Sequence, residues 1–375
     1  MNKSTKLLAT LAVFVVAFAG VSIFASDDAS ATGHTCPDSG AVAKIGDTEY
    51  DTLVAAVAAA EKAGDPSTTI NVLRCSEGEG IFIHGGVGFT IDFNSHKYTC
   101  TGPAVGSSGT ESQAIHIDTG AGTIVLKNGT ITSVEGSGVK MLVQVHKCDL
   151  TIEDMTLDGS KLDESNVGYY TLSTYKLANI VIKGKTTIVA HDSPGAYAFD
   201  VYGDSNVTVE DGTFEGMIEF TDGTFAVEGG TFSDMSVINY ATKGATINVV
   251  LDADQTGPGI GLFAKSKGQT GVTLNIDLAG FTYTCVGPAV GSSTTQSQVF
   301  HFEKDNTVSI SNGKITSVKD PKILMLIQNY CDLTLEKVTV DAKGTDVVYP
   351  VSNNCGNVVI TDSKIISKDG KFGLF

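Results

Sequence analysis

The chain reads as an all-β protein of the β-solenoid type on three observations. It carries an internal tandem duplication, its apolar residues recur at i, i+2 and i+7, and successive units start roughly 25 to 30 residues apart, the length of one solenoid coil. GPAVGSS stands at Gly102–Ser108 and again at Gly287–Ser293, with YTC before and SQ after both copies. TINV, ITSV and CDLT recur in the same order, so the repeats span 69–199 and 246–375.

The elements follow in chain order. Lys3 and Lys6, the apolar run Leu7 to Ala25 and the small residues Ala29-Ser30-Ala31 describe a secretory signal peptide over 1–31, cleaved after Ala31. The run is also long enough to remain as a membrane anchor, the one route to the membrane that the sequence offers. Residues 32–50 form a linker, and 51–375 a single β-helix domain. Within it, Asp51 precedes an Ala-rich segment with Leu53, Ala56, Val57 and Ala60 on one face and Gly64 as its stop, which predicts a helix over 51–63. Its position before the strand Thr69–Leu73 suits it to cover the amino-terminal end of a solenoid, whose bare strand edges invite association. After Phe375 no such cap follows, which suggests self-association through the last coil.

The strands show as triads such as Ile124/Leu126/Ile131, Leu150/Ile152/Leu157 and Val207/Val209/Phe214 in the first copy, and Val308/Ile310/Ile315 and Leu333/Leu335/Val340 in the second. Two apolar residues two apart give a short strand with one face inward. A polar bend such as Lys127-Asn128-Gly129-Thr130 then returns an apolar residue to the interior. A β-sandwich would show longer alternating strands with turn signals every 8 to 12 residues or so.

The formal net charge is −17, and loss of the signal peptide leaves it there, because two basic and two acidic side chains go with it. Such a chain repels nucleic acid and anionic lipid, and Arg74 is its sole arginine. Seven cysteines in a secreted chain suggest disulfides and one thiol left over. The duplication matches Cys100 with Cys285 and Cys148 with Cys331, which predicts the pairs Cys100–Cys148 and Cys285–Cys331, with Cys36–Cys75 tying down the amino-terminal segment. Cys355 remains as a thiol or an intermolecular link.

The retained loop Tyr98–Gln113 and its counterpart Tyr283–Gln298 are rich in Gly, Ser and Thr, and each continues into a strand bearing His116 or His301 and later to Gln144 or Gln328. A binding site present twice would then use Ser107, Gln113, His116 and Gln144 in one copy and Ser292, Gln298, His301 and Gln328 in the other. Ancestry and backbone shape alone also explain the retention. Calcium loops, zinc motifs and a G-x-S-x-G elbow are absent, so no metal, cofactor or catalytic residue is assigned. Equivalent acids, Asp92/Asp277, Asp158/Asp341 and Glu153/Glu336, read as solvated surface.

The opening Val42–Leu53, the Ala-rich helix, Thr69–Leu73 and the strand Phe89–Phe93 resemble the start of secreted or surface adhesin-like repeat proteins of gut bacteria and archaea. The resemblance implies a right-handed parallel β-helix of the pectin-lyase-like kind with a short N-terminal capping α-helix. It implies a non-catalytic, extracellular, secreted or cell-surface protein whose elongated surface binds a glycan or a host or cell-surface protein. Of the enzymatic motifs of that fold, Asn275-Ile276-Asp277 imitates one, while Gly-His-Gly and Arg-x-Lys are missing. A structural cell-envelope spacer and a relative of polysaccharide lyases or glycoside hydrolases are the alternatives.

Overall fold

A computed structural model describes residues 39–118, 120, 122–163, 168–292, 294–368 and 373–374. The predicted signal segment and Cys36 lie outside the described residues, and among these no helix is long and apolar enough to cross a membrane. From Thr69 onward the chain is predominantly short strands, and nearly all pair in parallel with the strand one repeat unit earlier and one later.

Three columns of strands result. The first runs from Thr69–Val72 through Thr90–Asp92 to the leading halves of Thr123–Ser133 and Asp149–Asp158, then Asn179–Lys183, Asn206–Val209 and the start of Thr224–Phe232. A second runs through Ser76–Gly78, Lys97–Cys100, the trailing halves of the same long strands, Thr187–Val189 and Thr213–Glu215. The third is a separate six-stranded sheet: Ile81–Ile83, Gln113–Ile117, Met141–His146, Tyr169–Tyr175, Ala196–Val201 and Met217–Phe220.

The interior follows the triads. Ile124, Leu126, Ile131, Leu150, Ile152 and Leu157 are buried, as are Val308, Ile310, Ile315, Leu333, Leu335 and Val340. The corner between the first two columns is turned by residues in the left-handed region, Asn128 (φ 59°) and Asp154 (φ 52°) in one copy and Asn312 (φ 56°) and Lys337 (φ 55°) in the other. Asn carries this conformation at low cost because its side chain bonds locally. Asn128 Nδ2 donates to Asp92 Oδ1 at 3.0 Å, and Asn312 Nδ2 to Asp277 Oδ1 at 3.1 Å. A methyl on Gly129 would fall 2.2 Å from Phe93 Cβ, and one on Gly313 2.4 Å from Leu278 Cβ, so both corners require glycine.

The two copies join with a shift. After Thr224–Phe232 a 3₁₀ turn, Met235–Tyr240, leads into Ala241–Val250. There the second TINV pairs with Gly229–Phe232, the trailing half of the preceding strand. The first TINV founds the leading column instead. The second copy is thus advanced by one strand position, and its third column forms a sheet of its own from Ile260–Leu262, Thr295–Phe302, Met325–Asn329 and Tyr349–Asn353. In the last strand pair of the long sheet, Val358–Thr361 leaves Val359 and Ile360 exposed.

The helix α1 spans Leu53–Ala63 and buries the predicted face, Leu53, Ala56, Val57 and Ala60, against neighbouring strands. Its N-cap is Thr52 rather than Asp51: the Thr52 hydroxyl accepts from Ala55 N at 3.1 Å, while Gly64 closes the other end at φ 64°. Part of the expected linker is also ordered, because Ala43–Ile45 pairs antiparallel with both Thr48–Tyr50 and Thr69–Val72.

The pairs Cys100–Cys148 and Cys285–Cys331 are not formed. Cys100 stands opposite Ser133, at the end of strand Thr123–Ser133, whereas Cys148 precedes Asp149, which stands opposite Thr123 at the beginning of that strand. The two cysteines thus belong to opposite ends of a strand that crosses two columns, whereas a disulfide needs Cα atoms within about 7 Å. Cys285, opposite Ser317, and Cys331, before Asp332 opposite Thr307, repeat this geometry. Equal spacing reported equivalent places in two copies, not proximity within one. Cys75 is held in a disulfide, its expected partner Cys36 lying outside the described residues, and Cys355 is an exposed thiol.

Candidate functional site

The retained loop leaves the long sheet after Cys100 or Cys285 and enters a small sheet at Gln113 or Gln298. Gly80 N donates to Pro103 O, and Gly259 N to Pro288 O, both at 2.8 Å, so each loop is pinned to the preceding unit in the same way. Gln113 and Gln298 are buried and brace the loop from beneath. Their Nε2 atoms donate to Ser112 Oγ at 2.9 Å and Ser297 Oγ at 3.0 Å, and their amides fill the space that a side chain at Gly106 or Gly291 would need. Ser107 lies on the exposed tip, and Ser292 Oγ shares a hydrogen bond with Thr295 Oγ1 at 2.8 Å. The two serines therefore stand apart from the histidines, whereas Gln113 meets Gln144 at Met141 Sδ, to which their Nε2 atoms donate at 3.7 and 3.2 Å.

His116 and Gln144 do come together. They are register neighbours in a row that crosses the six-stranded sheet as Phe82, His116, Gln144, Ser173, Asp200 and Glu219. The second copy repeats its start as Gly261, His301, Gln328 and Ser352. Beside these rows run Gln113, Met141, Tyr170, Tyr197 and Met217 in one copy and Gln298, Met325 and Tyr349 in the other.

The histidines differ in how their nitrogens are satisfied. His301 Nδ1 bonds Gln328 Oε1 at 3.0 Å and its Nε2 lies 3.7 Å from Glu303. In the first copy the shorter Asp118 pairs with His146 Nδ1 at 2.8 Å, and neither ring nitrogen of the buried His116 makes a hydrogen bond of ordinary length, although the Gln144 amide is close enough to act on the ring. Burial depresses both His116 and His301, so both imidazoles are neutral at pH 7.

Further along the first copy's row the chemistry changes. Asp200, only 8% exposed, accepts from Ser173 Oγ at 3.0 Å. Burial pushes its carboxyl up to about 6; the Ser173 hydrogen bond opposes the rise, and the charges of Glu219 and Asp222 add to it. Glu219 accepts from the Tyr170 hydroxyl at 3.1 Å. Tyr170 stacks on Tyr197 (5.5 Å, 22°) on one side of this row. Tyr175 and Tyr202, two residues beyond Ser173 and Asp200 and so on the same face, stack on the other side (6.0 Å, 12°). The result is a polar, acid-bearing row between two tyrosine pairs.

Sequence reasoning missed Tyr170, Ser173, Tyr175, Tyr197, Asp200, Tyr202 and Glu219. One signal was available: Tyr170 and Tyr175 recur as Tyr197 and Tyr202 at the same mutual spacing one unit later, and Asp200 is a lone acid inside an apolar run. The acids that were weighed serve the backbone instead. Asp92 accepts from Asn94 N and pairs with Lys127 at 3.1 Å, Asp277 accepts from Ala279 N, and Asp158 accepts from Ser160 N. Asp341 pairs with Lys314 at 2.8 Å, Glu153 with Lys183 at 3.2 Å and Glu336 with Lys337 at 3.4 Å.

Among the described residues no cluster of three or more His, Cys, Asp and Glu is arranged to hold a metal. A cleft of about 510 Å³ lies elsewhere, between α1 and the first units, lined by Arg74, Glu77, Glu79, Tyr98 and Pro103 among others. Arg74 is already committed there, its Nε donating to Gly40 O at 3.0 Å and its Nη1 to Cys75 O at 3.2 Å. Comparison with known proteins returns no matching family model, no matching curated protein and no matching solved structure.

Proposed function

We propose that the chain is a right-handed parallel β-helix capped at its amino end by α1, and that it works as a non-catalytic, secreted or cell-surface, adhesin-like binding protein. Parallel pairing unit upon unit, the three columns and the α1 face packed on the first strands support the architecture. Support for binding rests on one observation: the Ser173–Asp200–Glu219 row bracketed by the Tyr170/Tyr197 and Tyr175/Tyr202 pairs. Aromatic rings beside fixed hydrogen-bonding groups suit a glycan or a protein loop, because they supply contact area at low entropic cost while polar groups orient the partner.

A glycan array probed with residues 32–375 tests this reading. Specific signals that vanish in Tyr175→Ala/Tyr202→Ala support it; an array on which the protein and this variant behave alike points to the spacer role instead. Release of reducing or unsaturated ends from a bound polysaccharide would overturn the non-catalytic part.

A further inference from the structure

The row that crosses the six-stranded sheet does more than offer surface; its groups sort ligands by charge. Its carboxylates are Asp200 and Glu219 in adjacent register, with Asp118 on the same sheet and Asp222 close enough to act on Asp200. Against them stand Lys176, whose ammonium sits over the Tyr175 ring at 4.9 Å, and Lys140 and Lys147 at the two ends of the strand Met141–His146. Uncharged groups occupy the remainder: the half-buried Gln144 amide, with the buried His116 ring beside it, and the buried Ser173 hydroxyl, which holds Asp200 in place at 3.0 Å.

We propose that this face binds saccharides that carry no acid groups, their hydroxyls bonding Gln144, Glu219 and the accessible edge of Asp200 while the tyrosine pairs hold the ring edges. Carboxylates accept from sugar hydroxyls with charge-assisted strength. The same carboxylates, Asp200 nearly buried and Glu219 half-buried, repel uronate, sialate or sulfate groups. Affinity therefore divides by ligand charge rather than by chain length.

The proposal rests on the glycan-binding reading, and the test separates the two. Titration calorimetry of residues 32–375 with cellohexaose, xylohexaose and N-acetylchitohexaose, against hexagalacturonate and a hyaluronan hexamer, should show at least one neutral hexamer binding ten-fold or more tighter than either acidic one. Asp200→Asn/Glu219→Gln should narrow that ratio several-fold, and Tyr175→Ala/Tyr202→Ala should weaken the neutral ligand ten-fold or more. Circular dichroism establishes that each variant is folded, and Glu336→Gln, on a different sheet, should leave the ratio unchanged. Equal or tighter binding of the acidic hexamers, or an unchanged ratio in the carboxylate variant, overturns the charge selection and leaves glycan binding standing. No binding of any hexamer, together with a blank array, removes both.

Discussion

The six-stranded sheet of the first copy and the small sheet of the second started from the same sequence and now differ in their outward rows. Inside, both are apolar: Ile115 stacks on Val143 in one, and at the equivalent positions Phe300 stacks on Ile327 in the other, all buried. Outside, His301 is tied to Gln328 at 3.0 Å and faces Glu303, whereas the equivalent His116 makes only a longer approach to Gln144. The second copy carries Asn329 bonded to Asn353 and Cys331 O where the first has Val145 beside Thr174. The second copy thus ties one ring nitrogen of its buried histidine, Nδ1, and leaves Nε2 to the longer approach of Glu303. The first departs from this arrangement, and the departure lies at the end of the row that carries Asp200 and Glu219. The one-position shift at the junction also keeps the two rows on different sheets, so they do not merge into one surface.

If both interiors are close-packed and only the faces differ in kind, the equivalent substitutions Ile115→Ala and Phe300→Ala should both be costly, about 2–5 and about 3–5 kcal/mol, through lost burial and a cavity. Urea unfolding measures both. A loss below about 1 kcal/mol for either variant would show that the interiors have diverged as well.

The next effect belongs to the first copy alone. The Asp200 carboxyl sits at about 6 in the folded chain and near 3.8 when unfolded, so between these values the folded state holds the extra proton. Its contribution to stability is full below the unfolded value and is lost as pH rises through about 6. Asp200→Asn should therefore stabilise the protein at pH 7 by about 2–3 kcal/mol, from the size of the shift, and lose that advantage by pH 4. Unfolding midpoints at the two pH values check this. An equal effect at both would mean that the charge of Asp200 is not the cause.

Much of the fold was legible because a solenoid repeats one local rule. The i, i+2, i+7 triads located the buried residues through Leu333/Leu335/Val340, and the face of α1 was read residue by residue. In the unit of Phe89–Phe93 the spacing stretches: Val125 N bonds Phe89 O, which sets Phe89 and Ile91 opposite Ile124 and Leu126, Phe93 fills the corner and Tyr98 stands opposite Ile131. The disulfides were misread because spacing along a coil says nothing about which column a residue joins. Of the residues read for each loop, His116 with Gln144 and His301 with Gln328 stand side by side, because duplication marks what is shared. Asp200 and the tyrosine pairs were hidden because a duplicated motif draws attention to the common part, and they lie on units that the loop motif does not mark.

The histidines offer a sharper break of the comparison. His116→Phe removes no hydrogen bond of ordinary length and should change stability by less than about 0.5 kcal/mol, whereas His301→Phe strands the Gln328 amide and should cost about 1–2 kcal/mol. Both native imidazoles are depressed by burial, so their contribution is present above the unfolded histidine value near 6.5 and falls away as pH drops below it. Each Phe variant should flatten part of that acid loss in urea titrations from pH 7 to 5. Equal costs for the two substitutions at pH 7 would remove the claim that only the second histidine has a firmly bonded ring nitrogen.

The smallest effect tests the loops. Ser107 is exposed on its tip and its hydroxyl bonds nothing described, while Ser292 Oγ reaches Thr295 Oγ1 at 2.8 Å beside the short antiparallel pair Val290–Ser292 with Thr295–Phe302. A solvent-facing hydroxyl pair contributes little, because water competes for both groups. Ser292→Ala should cost about 0.5 kcal/mol and Ser107→Ala nothing measurable. Gln113→Ala and Gln298→Ala, by contrast, withdraw the buried brace from under each loop and should raise amide exchange at Val105 and Val290 alike. Faster exchange in one loop only would show that the seven identical residues are held in two different ways, and the shared motif would then record descent without shared mechanics.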